Sequence, residues 1–95
     1  MRPATKTVQI DLGGIATVAD LYAALERALD LPGHFGRNLD ALWDVLTRDL
    51  TGPVQVEFIG TRGFRERSGE AGARVLDLFV EVAAERDDVA VAMRE

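Results

Sequence analysis

Asp40 and Asp44 stand four residues apart in the stretch His34-Phe35-Gly36-Arg37-Asn38-Leu39-Asp40-Ala41-Leu42-Trp43-Asp44. On a helix that spacing stacks two carboxylates one turn apart on one face. Such a pair can hold a metal, act as acid and base, or meet a partner's positive charge. Asn38, Asp40 and Asp44 offer oxygen ligands that suit Ca²⁺ or Mg²⁺. Calcium loops, however, take ligands at alternate loop positions, and this spacing is helical. An acid–base pair of the glycosidase kind needs a deep cleft, which a chain this short has little room to build. Covalent catalysis lacks its parts. There is no cysteine, no serine in a nucleophile motif, and His34 is the single histidine. Gly13-Gly14, Gly33 and Gly36 lack the spacing of a phosphate cradle, and Gly60, Gly63, Gly69 and Gly72 are spread too loosely for one. No metal or other cofactor is expected. What remains is a surface suited to something positively charged. The plain alternative is a solvated helix face that happens to carry two aspartates.

The elements around the pair sharpen the choice. Asn38 is a good N-cap, and Leu39, Leu42, Leu46 and Leu50 make an apolar stripe behind it. At about 100° per residue Trp43 falls on the rim of that stripe, with Asp40, Thr47 and Asp44 directly beyond it. Like charges at i and i+4 cost a helix a few tenths of a kcal/mol, roughly. Aspartate is also a poor residue in mid-helix. The acidic face thus breaks a local rule with no local gain, and such breaks tend to mark function.

Upstream, Val8, Ile10 and Leu12 alternate with Gln9 and Asp11, which predicts a strand from Lys6 that Gly13-Gly14 ends. Thr17, with Asp20 three residues on, predicts a capped helix from Val18 to about Leu29, whose buried face is Leu21, Leu25, Ala28 and Leu29. Pro32-Gly33 and Gly52-Pro53 close the first two helices. Val54, Val56 and Phe58 predict a second strand. Gly60 to Gly63 reads as a loop, and Phe64 to Arg67 as one short helical turn. Glu70 to Arg86 is a long helix with Val75, Leu76, Phe79, Val82 and Ala83 on its apolar face. Val89, Val91 and Met93 predict a third strand. Helices between strands imply right-handed crossovers and a parallel sheet. Gln9, Asp11, Gln55 and Glu57 are polar where a doubly covered sheet would be apolar. The expected fold class is therefore α/β, a three-stranded parallel sheet with helices packed on one face.

Ninety-five residues predict a single domain over positions 1–95. Apolar residues make up 47% and charged residues 28%, as in ordinary globular proteins. Neither end carries a long apolar run, so no membrane span or signal peptide is expected and the cytoplasm is the expected location. The net charge of −5, with basic residues scattered, argues against direct contact with nucleic acid. It favours a basic protein, a cation or no partner at all, since a mild negative charge most often just keeps a protein soluble.

Taken together, Leu31-Pro32, Phe35-Gly36, Asn38-Leu39-Asp40-Ala41-Leu42-Trp43-Asp44 and Leu46-Thr47 closely resemble the hallmark of the barstar family, intracellular inhibitors of barnase-type ribonucleases. The resemblance covers nearly the whole chain. It implies a barstar-like fold and a non-enzymatic immunity protein, an antitoxin whose partner is a basic ribonuclease, barnase-like or another toxin nuclease. It also implies that Asp40 and Asp44 take the places of RNA phosphates in the nuclease active site. Gly36, Asn38, Leu39 and Ala41 would supply close contacts, Trp43 would pack beside them, and Glu81 would add an acidic contact from the long helix. Phe35 and Thr47 complete the implied binding set. Two positions depart from the family. His34 stands where an aromatic that touches the nuclease is usual, and Asp49 stands where tryptophan is common. A barstar-fold protein-binding module without nuclease inhibition is the alternative.

Overall fold

The computed structural model describes residues 5–32 and 35–95. Three strands, β1 (Lys6–Asp11), β2 (Val54–Ile59) and β3 (Val89–Arg94), form one parallel sheet in the order β1-β2-β3. Lys6 pairs with Val54 and Val54 with Val89, so the three strands start level. Three helices connect them: α1 (Val18–Leu29), α2 (Leu39–Arg48) and α3 (Thr61–Glu85). This is the expected α/β arrangement. Val8, Ile10, Val54, Val56, Phe58 and Val89 face the helices and are buried, while Gln9 and Asp11 face out and are exposed.

Local signals account for the first half. Thr17 Oγ1 accepts from Asp20 N at 3.1 Å and starts α1. Asp30, in the left-handed region at φ 52°, ends it. Leu12 leaves the strand for a short 3₁₀ turn, Leu12–Gly14, yet is completely buried. The Asp11 carboxylate fixes that turn by accepting from Gly13 N at 2.9 Å. On the outer face Glu57 is buried despite its charge. Gln9 Nε2 donates to it at 3.2 Å and Arg94 pairs with it at 3.0 Å, so a polar bridge crosses all three strands.

The second half corrects two expectations. Gly60 to Gly63 is not a loop, and the helical turn expected at Phe64 to Arg67 is longer than expected, because α3 runs from Thr61; the long helix expected from Glu70 is the part of α3 beyond Gly69. Burial overrides the two glycines here. Phe64 is fully enclosed, and the buried Thr61 donates its hydroxyl to Arg94 O at 3.2 Å. Only Gly60 leaves helical geometry at this point, capping α3 at φ 83°. A break comes instead at Gly69, at φ 66° and ψ −151°, a region open almost solely to glycine. The helix that resumes there carries Val75, Leu76, Phe79 and Val82 into the core. Phe79 meets Phe58 of β2 edge to face at 4.9 Å, worth about 0.5–1.5 kcal/mol beyond burial. The buried apolar residues of both halves form one cluster.

Candidate functional site

Helix α2 carries the acidic pair, and its start is built by Asn38. The Asn38 side chain uses both ends of its amide: Oδ1 accepts from Ala41 N at 2.8 Å, and Nδ2 donates to Gly36 O at 3.0 Å. One residue thus caps the helix and folds the preceding loop onto it. Gly36 suits that tight loop, since a Cβ there would lie 3.3 Å from Asn38 Nδ2 and 3.5 Å from the Ala41 methyl. Arg37 sits in the left-handed region at φ 40° and is tied down by Glu26 of α1. Its guanidinium donates to both Glu26 carboxylate oxygens, at 2.6 and 3.3 Å. That bond raises the Arg37 pKa further above its ordinary value.

Below the loop, Phe35 is buried, with its ring 5.8 Å from that of Tyr22. Burial pushes the Tyr22 phenol above its ordinary pKa. Phe35 therefore anchors the loop from the core side and offers a partner little surface. His34, which the resemblance also places at the site, lies outside the described residues.

The leucine stripe of α2 is largely as the sequence predicts. Leu42 and Leu46 are fully buried and Val45 joins them. Leu39 is only half-buried and lies at a groove. Leu50 is buried but falls past the end of the helix, where its N–H bonds to Val45 O at 3.0 Å. Asp40 and Asp44 are exposed and Trp43 is half-buried at the rim. Thr47 is turned inward: its hydroxyl donates to Trp43 O at 2.7 Å. Ala41 is half-buried beside the cap.

Helix α3 packs against α2 and completes the surface. An open groove of about 430 Å³ runs between them, lined by Leu39, Asp40 and Trp43 on one side and Arg74, Asp77, Leu78 and Glu81 on the other. Glu81, Asp40 and Trp43, drawn from two helices, thus share one groove. Asp44 projects one turn further along α2, outside its lining. A second groove lies on the other side of Asp40, between Tyr22 and Val18 of α1 and Ala71 and Val75 of α3. Among the described residues, Asp40, Asp44 and Glu81 enter no ion pair. No cluster of three or more acidic or histidine side chains suited to a metal occurs among them either.

Apart from Glu81, which the family resemblance implied, sequence reasoning overlooked the α3 wall. Arg74, Asp77, Leu78 and Glu81 recur at i, i+3, i+4 and i+7, the spacing of one helix face, so the signal was present. Arg74 brings a positive charge into the acidic groove. It pairs at 2.8 Å with Glu70, both side chains being well exposed.

The far end of α2 is held by a residue from beyond α3. Arg86 Nη1 donates to Leu46 O and Leu50 O, each at 2.8 Å. Leu46 O is one of the carbonyls that the C-terminus of α2 leaves without an internal partner, and Leu50 O lies just past that end. The rest of the guanidinium forks onto Asp88 at 2.7 and 2.9 Å. The Arg86 bond holds the Asp88 carboxyl below its ordinary pKa.

An α/β frame of this topology, displaying an acidic helix capped by asparagine, describes a known class of protein. The family model for barstar, described as barnase inhibitor, matches residues 5–94, and the chain belongs to that family. It is also similar to a protein of Bacillus subtilis (strain 168) named "Putative ribonuclease inhibitor YrdF", with 43% identity over 42 residues. That match spans 44% of this chain and 46% of the relative, less than half of either. No described helix is long and apolar enough to cross a membrane.

Proposed function

We propose that this chain inhibits a basic, barnase-type ribonuclease by blocking its active site with α2 and the loop before it. The observation that carries the reading is the position of Asp40 and Asp44. Both are exposed on a helix whose opposite face is locked into the core, so the carboxylates are held rigidly without being spent inside the fold. Family membership supplies the partner class. In this reading Asp40 and Asp44 replace RNA phosphates among the nuclease's cations, and Glu81 adds a third carboxylate across the groove. Gly36, Asn38, Leu39, Ala41 and Trp43 give close contacts, and Thr47 contributes at the edge of the patch. The protein does no chemistry of its own. Acting inside the cell as an immunity protein, it would spare that cell from the toxin.

The test is a titration of barnase-type ribonuclease activity on RNA with the purified protein, alongside Asp44→Ala and Asp40→Ala. Inhibition should be stoichiometric for the parent. Each substitution should weaken it by at least about 2 kcal/mol, a hot-spot scale that barnase and barstar themselves helped to set. Removing one carboxylate leaves a nuclease cation desolvated and unpaired, which is the costly outcome. Unchanged inhibition by both variants would overturn the assignment.

A further inference from the structure

Among the described residues no further strand pairs with either edge of the sheet, and the two edges differ. At the β1 edge the exposed residues Lys6, Thr7, Gln9 and Asp11 are polar or charged. Charges of this kind are what deter edge-to-edge pairing. At the β3 edge the run Val89-Ala90-Val91-Ala92-Met93 contains no charge, no proline and no glycine. Ala90 is exposed, and Ala92, Val91 and Met93 are only half-buried.

The backbone bonding fixes what this edge can accept. Asp88 O accepts from Val54 N, and Arg94 O accepts from Gly60 N, each at 2.9 Å. Even-numbered residues of β3 therefore spend their backbone groups on β2. Val91 and Met93, with the carbonyl of Val89, turn theirs to the free edge. An antiparallel partner must match outward-bonding residues with outward-bonding residues and the helix-side face with the helix-side face.

We propose that the β3 edge is the docking site for a second copy of this chain, joining two sheets into one of six strands about a two-fold axis. Val91 of one copy lies opposite Val91 of the other, Val89 opposite Met93, and Ala90 opposite Ala92. In this register the two Val91 residues exchange both their N–H and C=O groups, and each Met93 N–H meets the Val89 C=O of the other copy, while the Val89 N–H stays with Arg86 O of its own chain. Val89, Val91 and Met93 stay on the helix side in both copies. A slip by one residue would break both conditions at once. The ends also match in charge, since Asp87, which enters no ion pair among the described residues, starts each β3 and comes alongside Arg94 at the end of the other, Asp88 staying with Arg86 of its own chain. The contact is isologous and closes on itself as a dimer, so the edge is consumed rather than left to propagate. It is independent of the proposed inhibitory site on α2.

The experiment is sedimentation of the intact protein over a concentration series, with amide exchange followed by NMR. The mass should double as concentration rises. The Val91 and Met93 amides should become protected in step with it, while those of Ala90 and Ala92 are protected throughout. Val91→Pro removes an N–H that the monomer does not use, so the fold should survive and the mass should stay that of one chain at every concentration. Should that variant fail to fold, the alternating amide protection of the parent decides alone. A parent that stays monomeric to millimolar concentration overturns the proposal. So does a dimer in which the Val91 and Met93 amides exchange as fast as in the monomer.

Discussion

Replacing Arg86 by alanine should destabilise the protein far more than a surface arginine normally would. Arg86 is exposed to only 17%, and Nη1 bonds at 2.8 Å to two carbonyls at the C-terminal end of α2. Hydrogen bonds from a charged donor contribute about 1.5–3 kcal/mol each. Water can replace part of that once the side chain is gone, so a loss of about 2–4 kcal/mol is expected from the two bonds together. For a domain of this size each kcal/mol moves Tm by roughly 4–8 °C, which predicts a fall of roughly 10–30 °C. Arg86→Lys should recover only part, because an ammonium cannot hold both carbonyls and fork onto Asp88. The pH dependence gives a second readout. The Asp88 carboxyl is lowered in the folded state and ordinary in the unfolded state. Its contribution is therefore present above the ordinary value, about pH 4, and is lost as pH falls from there through the folded pKa. Arg86→Ala removes the cause of the shift, so the stability gap between parent and variant should narrow below about pH 4. Thermal and urea melts from pH 3 to 7 measure both effects. A variant melting within a degree or two of the parent at pH 7 would show that the C-terminal end of α2 is not held by Arg86.

Three further outcomes follow from the site. Leu42→Ala, at a fully enclosed position, should cost about 2–5 kcal/mol of stability in melts, whereas Asp44→Ala should leave the melt nearly unchanged, which separates the two faces of α2. Asn38→Ala should cost about 1 kcal/mol through the lost cap. It should also weaken ribonuclease inhibition, because the bond to Gly36 O goes with it; Asn38→Asp, which keeps the Oδ acceptor but not the amide donor, tells the two losses apart in paired melts and titrations. If the proposed reading holds, association with the nuclease should slow as salt rises and the Debye length shrinks to about 8 Å, because an acidic surface on a chain of net charge −5 would steer the encounter. Stopped-flow rates flat in salt would refute that steering.

What the sequence made legible divides along the range of the interactions. The cap at Asn38, the start of α1 at Thr17 and the alternation of all three strands depend on neighbours two to four residues apart, and the structure has them where the pattern placed them. The acidic face of α2 was legible for the same reason, because helical phase is a local property. The loop expected from Gly60 to Gly63 was a misreading because its glycines are local loop signals, while the burial that holds the helix there comes from elsewhere in the chain. Arg94 O, which accepts the Thr61 hydroxyl, is 33 positions away. Leu46 O and Leu50 O lie 40 and 36 positions from Arg86, and no local pattern points from one to the other. The two kinds of interaction meet in α2. Local rules set which residues face outward and where the helix begins, and its costly acidic face is a local penalty. Its far end is fixed by a side chain from beyond α3, and Glu81 and Arg74 from α3 form the opposite wall of the groove. A helix that carries two aspartates on its exposed face gains little stability from that face. It must be held through its buried leucines and its two ends, and Asn38 at one end and Arg86 at the other supply those restraints.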